Sequence, residues 1–418
     1  MEDWDALEPA IAAIWPKVAA ALPEADRAAL EEQLLPALRA VDAARESAAP
    51  VAAAAREAAA ALEARPPFGE LLAAEFDALS DGRERFGPDA PPAFWGESVR
   101  SLQVPVLFAT DRAPEADGFG AGRGGLSYGE ALVSVPDDHR IGAVEKPRWW
   151  RLQFRTDPAR DTRLTGVHPL AAAEFADLAG HRAATGEALL FVHGFNVSFR
   201  DAAVRAAQLA YDLNFTGLPV LYSWPSKGSV ADYAADGNAA RRAVPYFQEF
   251  LRHLLTAGRV AELHVVAHSM GNRLVTDALA DLDTTALPPG SGRLGQLVFT
   301  APDVDAEVFR QLLPRIVRQA RGCTLYASSA DRALLAARRL AEYPRAGQAG
   351  ERVLVLPGLD TVDVSRLDTG LLGHSYFGDH RSVLSDLHGL LRHRHPPQQR
   401  YGLVRVPHRD GAYWAFQP

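Results

Sequence analysis

The sequence predicts an α/β fold, a mostly parallel sheet with helices on both faces, preceded by a separate helical region. Three observations carry this. From Leu102 onward, short apolar runs alternate with helix-length segments. Runs such as Ala188–His193 and Leu263–Ala267 are almost continuously apolar rather than alternating, as in strands buried on both faces. One of them, Val265-Val266-Ala267, runs through His268-Ser269-Met270-Gly271-Asn272 into a new helix. The predicted division is residues 1–98, helices and linker, and residues 99–418, the α/β domain.

Leu7, Ile11, Ile14, Trp15, Val18 and Leu22 recur at three- and four-residue steps and predict a first helix. Leu30, Leu34, Leu35, Leu38 and Val41 predict a second, with Pro36 inside it as the expected point of a kink or split. Residues 48–64 are alanine-rich; alanine favours helix but buries little area, so this helix needs a partner surface. The Pro, Gly and Asp of about 81–98 read as a linker. Val104–Thr110 is a strand, 115–128 a glycine-rich loop, and Ala131–Val135 and Trp149–Phe154 are strand candidates. After Ala188–His193 a helix spans Asp201–Leu213. Pro219–Ser223 is a strand and about 238–257 a helix. Leu263–Ala267 is a strand, and the helix after Ser269 reaches about Leu282. Leu297–Ala301, Thr324–Ala327 and Val353–Leu356 complete the alternation.

Composition narrows the function classes. The 418 residues are 48% hydrophobic and 23% charged, ordinary for a globular protein, and the net charge of -8 does not point to nucleic acid. One cysteine, Cys323, forms no intrachain disulfide. The acidic start Met1-Glu2-Asp3-Trp4-Asp5 is unlike a secretory signal, and no apolar run nears the ~18 residues of a membrane span. The expected location is cytoplasmic. His393-Arg394-His395 lacks a third metal ligand, and Gly118–Gly125 lacks the Gly-Lys-Ser/Thr end of a phosphate loop, so neither metal nor cofactor is expected.

The segment around Ser269 has the shape of a nucleophile elbow, Gly-x-Ser-x-Gly with Ala267 in the first glycine's place. Such a serine needs a base, an acid that orients the base, and an oxyanion hole. Elbow hydrolases supply acid and base in the chain order Ser, Asp/Glu, His. Downstream stand the acids Asp303, Asp305, Asp331, Asp360, Asp363 and Asp368, and the bases His374, His380, His388, His393, His395 and His408. Catalytic groups in open α/β sheets lie beyond the carboxyl ends of strands. Asp331 follows Thr324–Ala327 across a short loop, and His374 lies in the Gly-bounded segment Gly370–Phe377. The candidate triad is therefore Ser269, His374 and Asp331, with Asp303 the alternative acid. As a cap, Asp303 would instead start a helix at Ala306–Leu313. The expected oxyanion donors are the N–H groups of Met270 and of Phe195, the latter in His193-Gly194-Phe195-Asn196. Gly194, His193, His268 and Trp224 are the candidate substrate-lining residues, although Trp224 could equally be core.

Together, Val106–Arg112, Leu126–Gly129, Phe191–Asn196, Ser223–Ser226, Ala267–Asn272, Ala301–Asp305 and Gly373–Phe377 resemble a bacterial α/β-hydrolase family of undetermined function, esterase- or lipase-like. The resemblance spans about 102 to 390. It implies an α/β-hydrolase fold, a Ser/Asp/His triad, tolerance of Ala267, and hydrolysis of an ester-like bond in a small-molecule substrate. Amide or thioester hydrolysis would use the same residues. A catalytically silent scaffold is the competing class. The N-terminal helices fall outside the resemblance and are a candidate docking module for a protein partner, or a partial cover for the pocket. About 302–322 has room for one crossover helix, so no large lid is expected there.

Overall fold

The computed structural model describes residues 26–46, 51–65, 69, 72, 97–98, 101–116, 118–136, 139, 162–227, 233–257, 259–329, 343–367 and 381–417. The chain divides into two compact units, Met1–Pro91 and Pro92–Pro418. The expected helix at Leu7–Leu22 and strand at Trp149–Phe154 lie outside the described residues.

In the first unit, α1 (Arg27–Glu46) packs against α2 (Val51–Glu63). Leu30, Leu34, Leu38 and Val41 of α1 are buried, as are Ala55, Ala58, Ala59 and Leu62 of α2. Pro36 neither splits nor ends α1. It lies on the exposed side of the helix, away from the buried Leu34 and Leu38.

The second unit is built on one mixed sheet. Its strands are β1 (Glu97–Ser98), β2 (Ser101–Glu115), β3 (Gly118–Pro136), β4 (Arg163–Leu170), β5 (Glu187–Val192), β6 (Leu218–Ser223), β7 (Glu262–His268), β8 (Arg293–Thr300), β9 (Ala320–Ala327), β10 (Asp360–Asp363), β11 (Leu403–His408) and β12 (Gly411–Phe416). Their spatial order is β11-β12-β10-β9-β8-β7-β5-β6-β2-β3-β4, with β1 paired to β2. From β2 across to β12 the pairings run parallel, while β2–β3, β3–β4 and β11–β12 are antiparallel. The interposed helices are α3 (Ala172–Arg182), α4 (Phe199–Asp212), α5 (Tyr233–Thr256), α6 (Gly271–Asp281), α7 (Ala306–Ile316) and α8 (Arg381–His393). Every residue of β6 and β7 is buried, which explains their unbroken apolar sequence. The β8–β9 connection holds a single helix, α7. Among the described residues no helix is long and apolar enough to cross a membrane.

Two expectations give way. The stretch 115–128 is not a loop; from Gly118 it is the first half of β3, paired antiparallel with β2. Gly129, just beyond the stretch in β3, serves close packing: a Cβ there would lie 2.4 Å from the Phe108 ring and 2.6 Å from the His168 carbonyl. Val353–Leu356 is not a strand either. The chain turns through Pro357-Gly358 and the strand forms at β10, where Val362 pairs with Tyr326 of β9. Val353 and Leu354 are buried without joining the sheet, and the Thr361 hydroxyl donates to the Leu354 carbonyl at 2.6 Å. Apolar content alone does not distinguish these two outcomes.

Gly129→Val should lower the unfolding free energy by about 1–3 kcal/mol, read as a lower urea midpoint at unchanged slope, because the added atoms have no space against Phe108. An unchanged midpoint would contradict the close packing of β2 and β3.

Candidate active site

Ser269 stands between the end of β7 and the start of α6, with φ at +52°. A left-handed serine costs about 1–3 kcal/mol and persists only where its surroundings over-determine it. They do so here. The Ser269 N–H donates to the Thr300 carbonyl at 3.0 Å. The Ser269 carbonyl accepts from Asn272 N–H at 3.1 Å, Asp303 N–H at 3.2 Å and the Asn272 side-chain Nδ2 at 3.0 Å. Asn272 Nδ2 also reaches the Thr300 carbonyl at 3.2 Å, so this one amide ties the elbow to β8.

Two glycines bring the loop after β5 against the elbow. A Cβ on Gly271 would lie 2.3 Å from the His193 carbonyl, and one on Gly194 would lie 2.9 Å from Ser269 Cβ and 3.0 Å from His268 Nδ1. Ala267 occupies the first glycine position inside β7, registered between Val192 and Phe299, where no left-handed backbone is needed. Its methyl is simply core. Among the described residues, neither the Met270 nor the Phe195 N–H is taken up by a backbone hydrogen bond outside regular helix or strand pairing. Met270 itself is buried, and Phe195 is half-buried with its ring 5.5 Å from that of Tyr233.

His193 and Trp224 lie beneath this loop, 1% and 0% exposed, and support it. Their rings stack at 5.1 Å, and the Trp224 indole N–H donates to the His193 carbonyl at 2.8 Å. His193 Nδ1 sits 2.8 Å from the Gly194 carbonyl, and Nε2 sits 3.1 Å from Ser223 Oγ. Burial, reinforced by the nearby Arg112 guanidinium, pushes the imidazole down to about 3, so it is neutral. His268 is largely buried, directly before the serine and against Gly194.

Asp303 does not cap α7; Asp305 does, accepting from the Glu307 and Val308 N–H groups at 2.9 and 3.1 Å. The Asp303 carboxylate is instead enclosed by donors. Oδ2 accepts from Tyr233 Oη at 2.6 Å and Arg273 Nη2 at 2.8 Å, while Oδ1 lies 3.2 Å from Arg345 Nε. Burial and the Asp303 charge push the Tyr233 phenol up to about 12, so it stays a donor. Arg273 Nε also donates to the Asp303 carbonyl at 2.6 Å. Asp331 and His374 lie outside the described residues. The strands that lead to them, β9 and β10, are parallel neighbours with Ala327 opposite Asp363, on the β8 side of the elbow strand.

Four residues of this site carried no sequence signal of their role. Asn272 and Arg112 stood inside recognisable segments, but nothing marked what they hold. Tyr233 and Arg345 come from distant segments, and only folding brings them to Asp303.

An α/β fold with a strained serine at the carboxyl edge of its sheet has the architecture of the α/β-hydrolase fold. Residues 171–394 match the family described as alpha/beta hydrolase of unknown function (DUF900), and the chain belongs to that family. It is also similar to the uncharacterized protein alr1448 of Nostoc sp., 29% identical over 126 residues, which cover 24% of this chain and 33% of that relative. The chain thus matches about a third of that protein's length.

The neutral state of His193 predicts an acid sensitivity. Its folded value is below the ordinary ~6.5, so its stabilising contribution is full above that value and is lost as pH falls toward about 3. The unfolding free energy of wild type minus that of His193→Gln should shrink by up to about 1.4 kcal/mol per pH unit over that window. A difference independent of pH would contradict a neutral buried His193.

Proposed function

We propose that the protein is a serine hydrolase of ester-like bonds, acting through Ser269, His374 and Asp331 and an acyl-enzyme. The observation that carries this is the elbow: a serine held at positive φ by three donors to its own carbonyl, with Gly194 of the loop after β5 packed against it. In this mechanism Ser269 Oγ attacks the substrate carbonyl carbon and its proton passes to His374. The tetrahedral oxyanion is held by the N–H groups of Phe195 and Met270. Collapse breaks the bond to the leaving group, which takes the proton from His374. Water, deprotonated by His374, then attacks the acyl carbon, and Ser269 leaves with its proton restored. Asp331 orients the imidazole and stabilises its charged form.

The choice of Asp331 over Asp303 is supported by the state of Asp303. Its Oδ2 already accepts from Tyr233 and Arg273, its Oδ1 is ion-paired with Arg345, and its N–H serves the Ser269 carbonyl. It has the role of an anchor for the elbow. His374 follows β10 in a glycine-flanked segment, which suits a base that reaches over the sheet edge.

Wild type should hydrolyse p-nitrophenyl esters and take a fluorophosphonate label at Ser269, and Ser269→Ala should lose both, with kcat down by ~10⁶. Asp331→Asn should lower kcat by ~10⁴ with the fold retained. Asp303→Asn should chiefly lower the melting temperature. The reverse pattern would make Asp303 the acid. Activity should rise with pH as His374 deprotonates and level off once it is neutral. A folded wild type that takes no label would refute the reading.

A further inference from the structure

Arg112 is the largest charged side chain fully buried among the described residues, 1% exposed, and the mechanism above makes no use of it. It lies at irregularities in the β2–β3 pairing between Thr110 and Arg112 and between Arg112 and Pro114. Bulges of this kind re-aim a side chain. Thr110 pairs with Ser223 at the end of the parallel β2–β6 ladder, so Arg112 emerges just past the carboxyl edge. No carboxylate among the described residues lies within ion-pair distance. Burial pulls the guanidinium down to about 10, still charged at neutral pH.

Its donors go to four acceptors on three separate segments. Nε donates to Ser223 Oγ at 2.9 Å, Nη1 to the Gly120 and Ser226 carbonyls at 3.0 and 3.2 Å, and Nη2 to the Val197 carbonyl at 2.7 Å. Nη2 also lies 3.4 Å from His193 Nε2. These contacts fix the direction of a hydrogen-bond relay. The neutral His193 faces a carbonyl with Nδ1, so Nδ1 carries the proton and donates to the Gly194 oxygen. Nε2 is then an acceptor. Ser223 accepts from Arg112 and donates its own O–H to Nε2 at 3.1 Å. The relay ends at the carbonyl of the Gly194–Phe195 peptide. In a trans peptide the N–H points opposite to the C=O, so holding this carbonyl down toward His193 turns the Phe195 N–H the other way.

We infer that Arg112 is the positioning residue of the oxyanion loop, acting through Ser223 and His193 on the Gly194–Phe195 peptide and through the Val197 carbonyl on the loop's far end. This rests on the serine-hydrolase reading. Arg112 touches no substrate; it sets the plane of the peptide whose N–H meets the oxyanion. A forked donor is needed because one side chain must reach four acceptors in different directions, which a lysine ammonium on a single stem does not do.

The test uses the full chain with p-nitrophenyl butyrate as substrate and phenylboronic acid as tetrahedral analogue. Arg112→Met should lower kcat by ~10², the cost of one oxyanion donor, with KM within about twofold. Affinity for phenylboronic acid should fall in parallel with kcat. Arg112→Lys should recover less than a tenth of the loss. If Arg112→Met does not fold, Ser223→Ala breaks the relay while keeping the charge and should show the same split between kcat and KM. A folded Arg112→Met, or failing that Ser223→Ala, with wild-type kcat, or with a loss confined to melting temperature, would overturn the inference while Ser269→Ala remains inactive. Full activity in Ser269→Ala, or a wild type with no activity at all, would instead overturn the serine-hydrolase reading and this inference with it.

Discussion

The carbonyl oxygen of Ser269 accepts three hydrogen bonds, from Asn272 twice and from Asp303 once, and the serine N–H is fixed on Thr300. That arrangement holds the residue at φ +52°, a conformation its own side chain disfavours. Most other features around the elbow follow from it. β8 must run parallel beside β7 so that Thr300 faces the serine N–H. Asp303 must sit just past β8 with its N–H turned inward, and the Tyr233, Arg273 and Arg345 donors around its carboxylate keep it there. Gly271 and Gly194 must lack side chains because the loop after β5 occupies the space against the elbow.

The elbow is therefore clamped from two sides by different physics. On the β8 side the clamp is ionic and hydrogen-bonded, centred on a buried carboxylate with guanidinium and phenol partners. On the β6 side it is a buried guanidinium held by neutral acceptors, relayed through Ser223 and an uncharged His193. Removing one partner from either set leaves a buried charge or dipole exposed to its neighbours, a cost larger than the worth of a single surface contact. The stacked His193 and Trp224 rings fill the volume between the two, so the loop carrying Phe195 rests on a packed floor.

The central sheet was legible in the sequence because strands buried on both faces have no polar side to interrupt the apolar run. β5 to β9 therefore stood out. The elbow was legible for a related reason: a serine followed by Met-Gly-Asn at the end of such a run has few other uses. β3 was not legible. Its Gly129 answers to the Phe108 ring and the His168 carbonyl across the sheet, and its Gly124 to the Arg112 backbone, contacts that no local pattern records. The C-terminal β11–β12 hairpin was missed as well; β11 is a sheet edge and half-exposed, so it has no continuous apolar signature. Asp303 shows the limit most clearly. Spacing after a strand makes it a candidate acid or a helix cap, yet its surroundings are set by Tyr233 and Arg345, far away in sequence. Arg112 stands just past the expected strand Val104–Thr110, and the pairing irregularity explains why it turns inward.

The central claim is that the strained serine and the Phe195 and Met270 N–H groups form one reactive centre. A crystal structure of the fluorophosphonate-treated protein tests it most directly. The account predicts phosphorus bonded to Ser269 Oγ, with the phosphoryl oxygen within hydrogen-bond distance of both Phe195 N and Met270 N. A phosphoryl oxygen turned away from both, or an adduct on another residue, would contradict it.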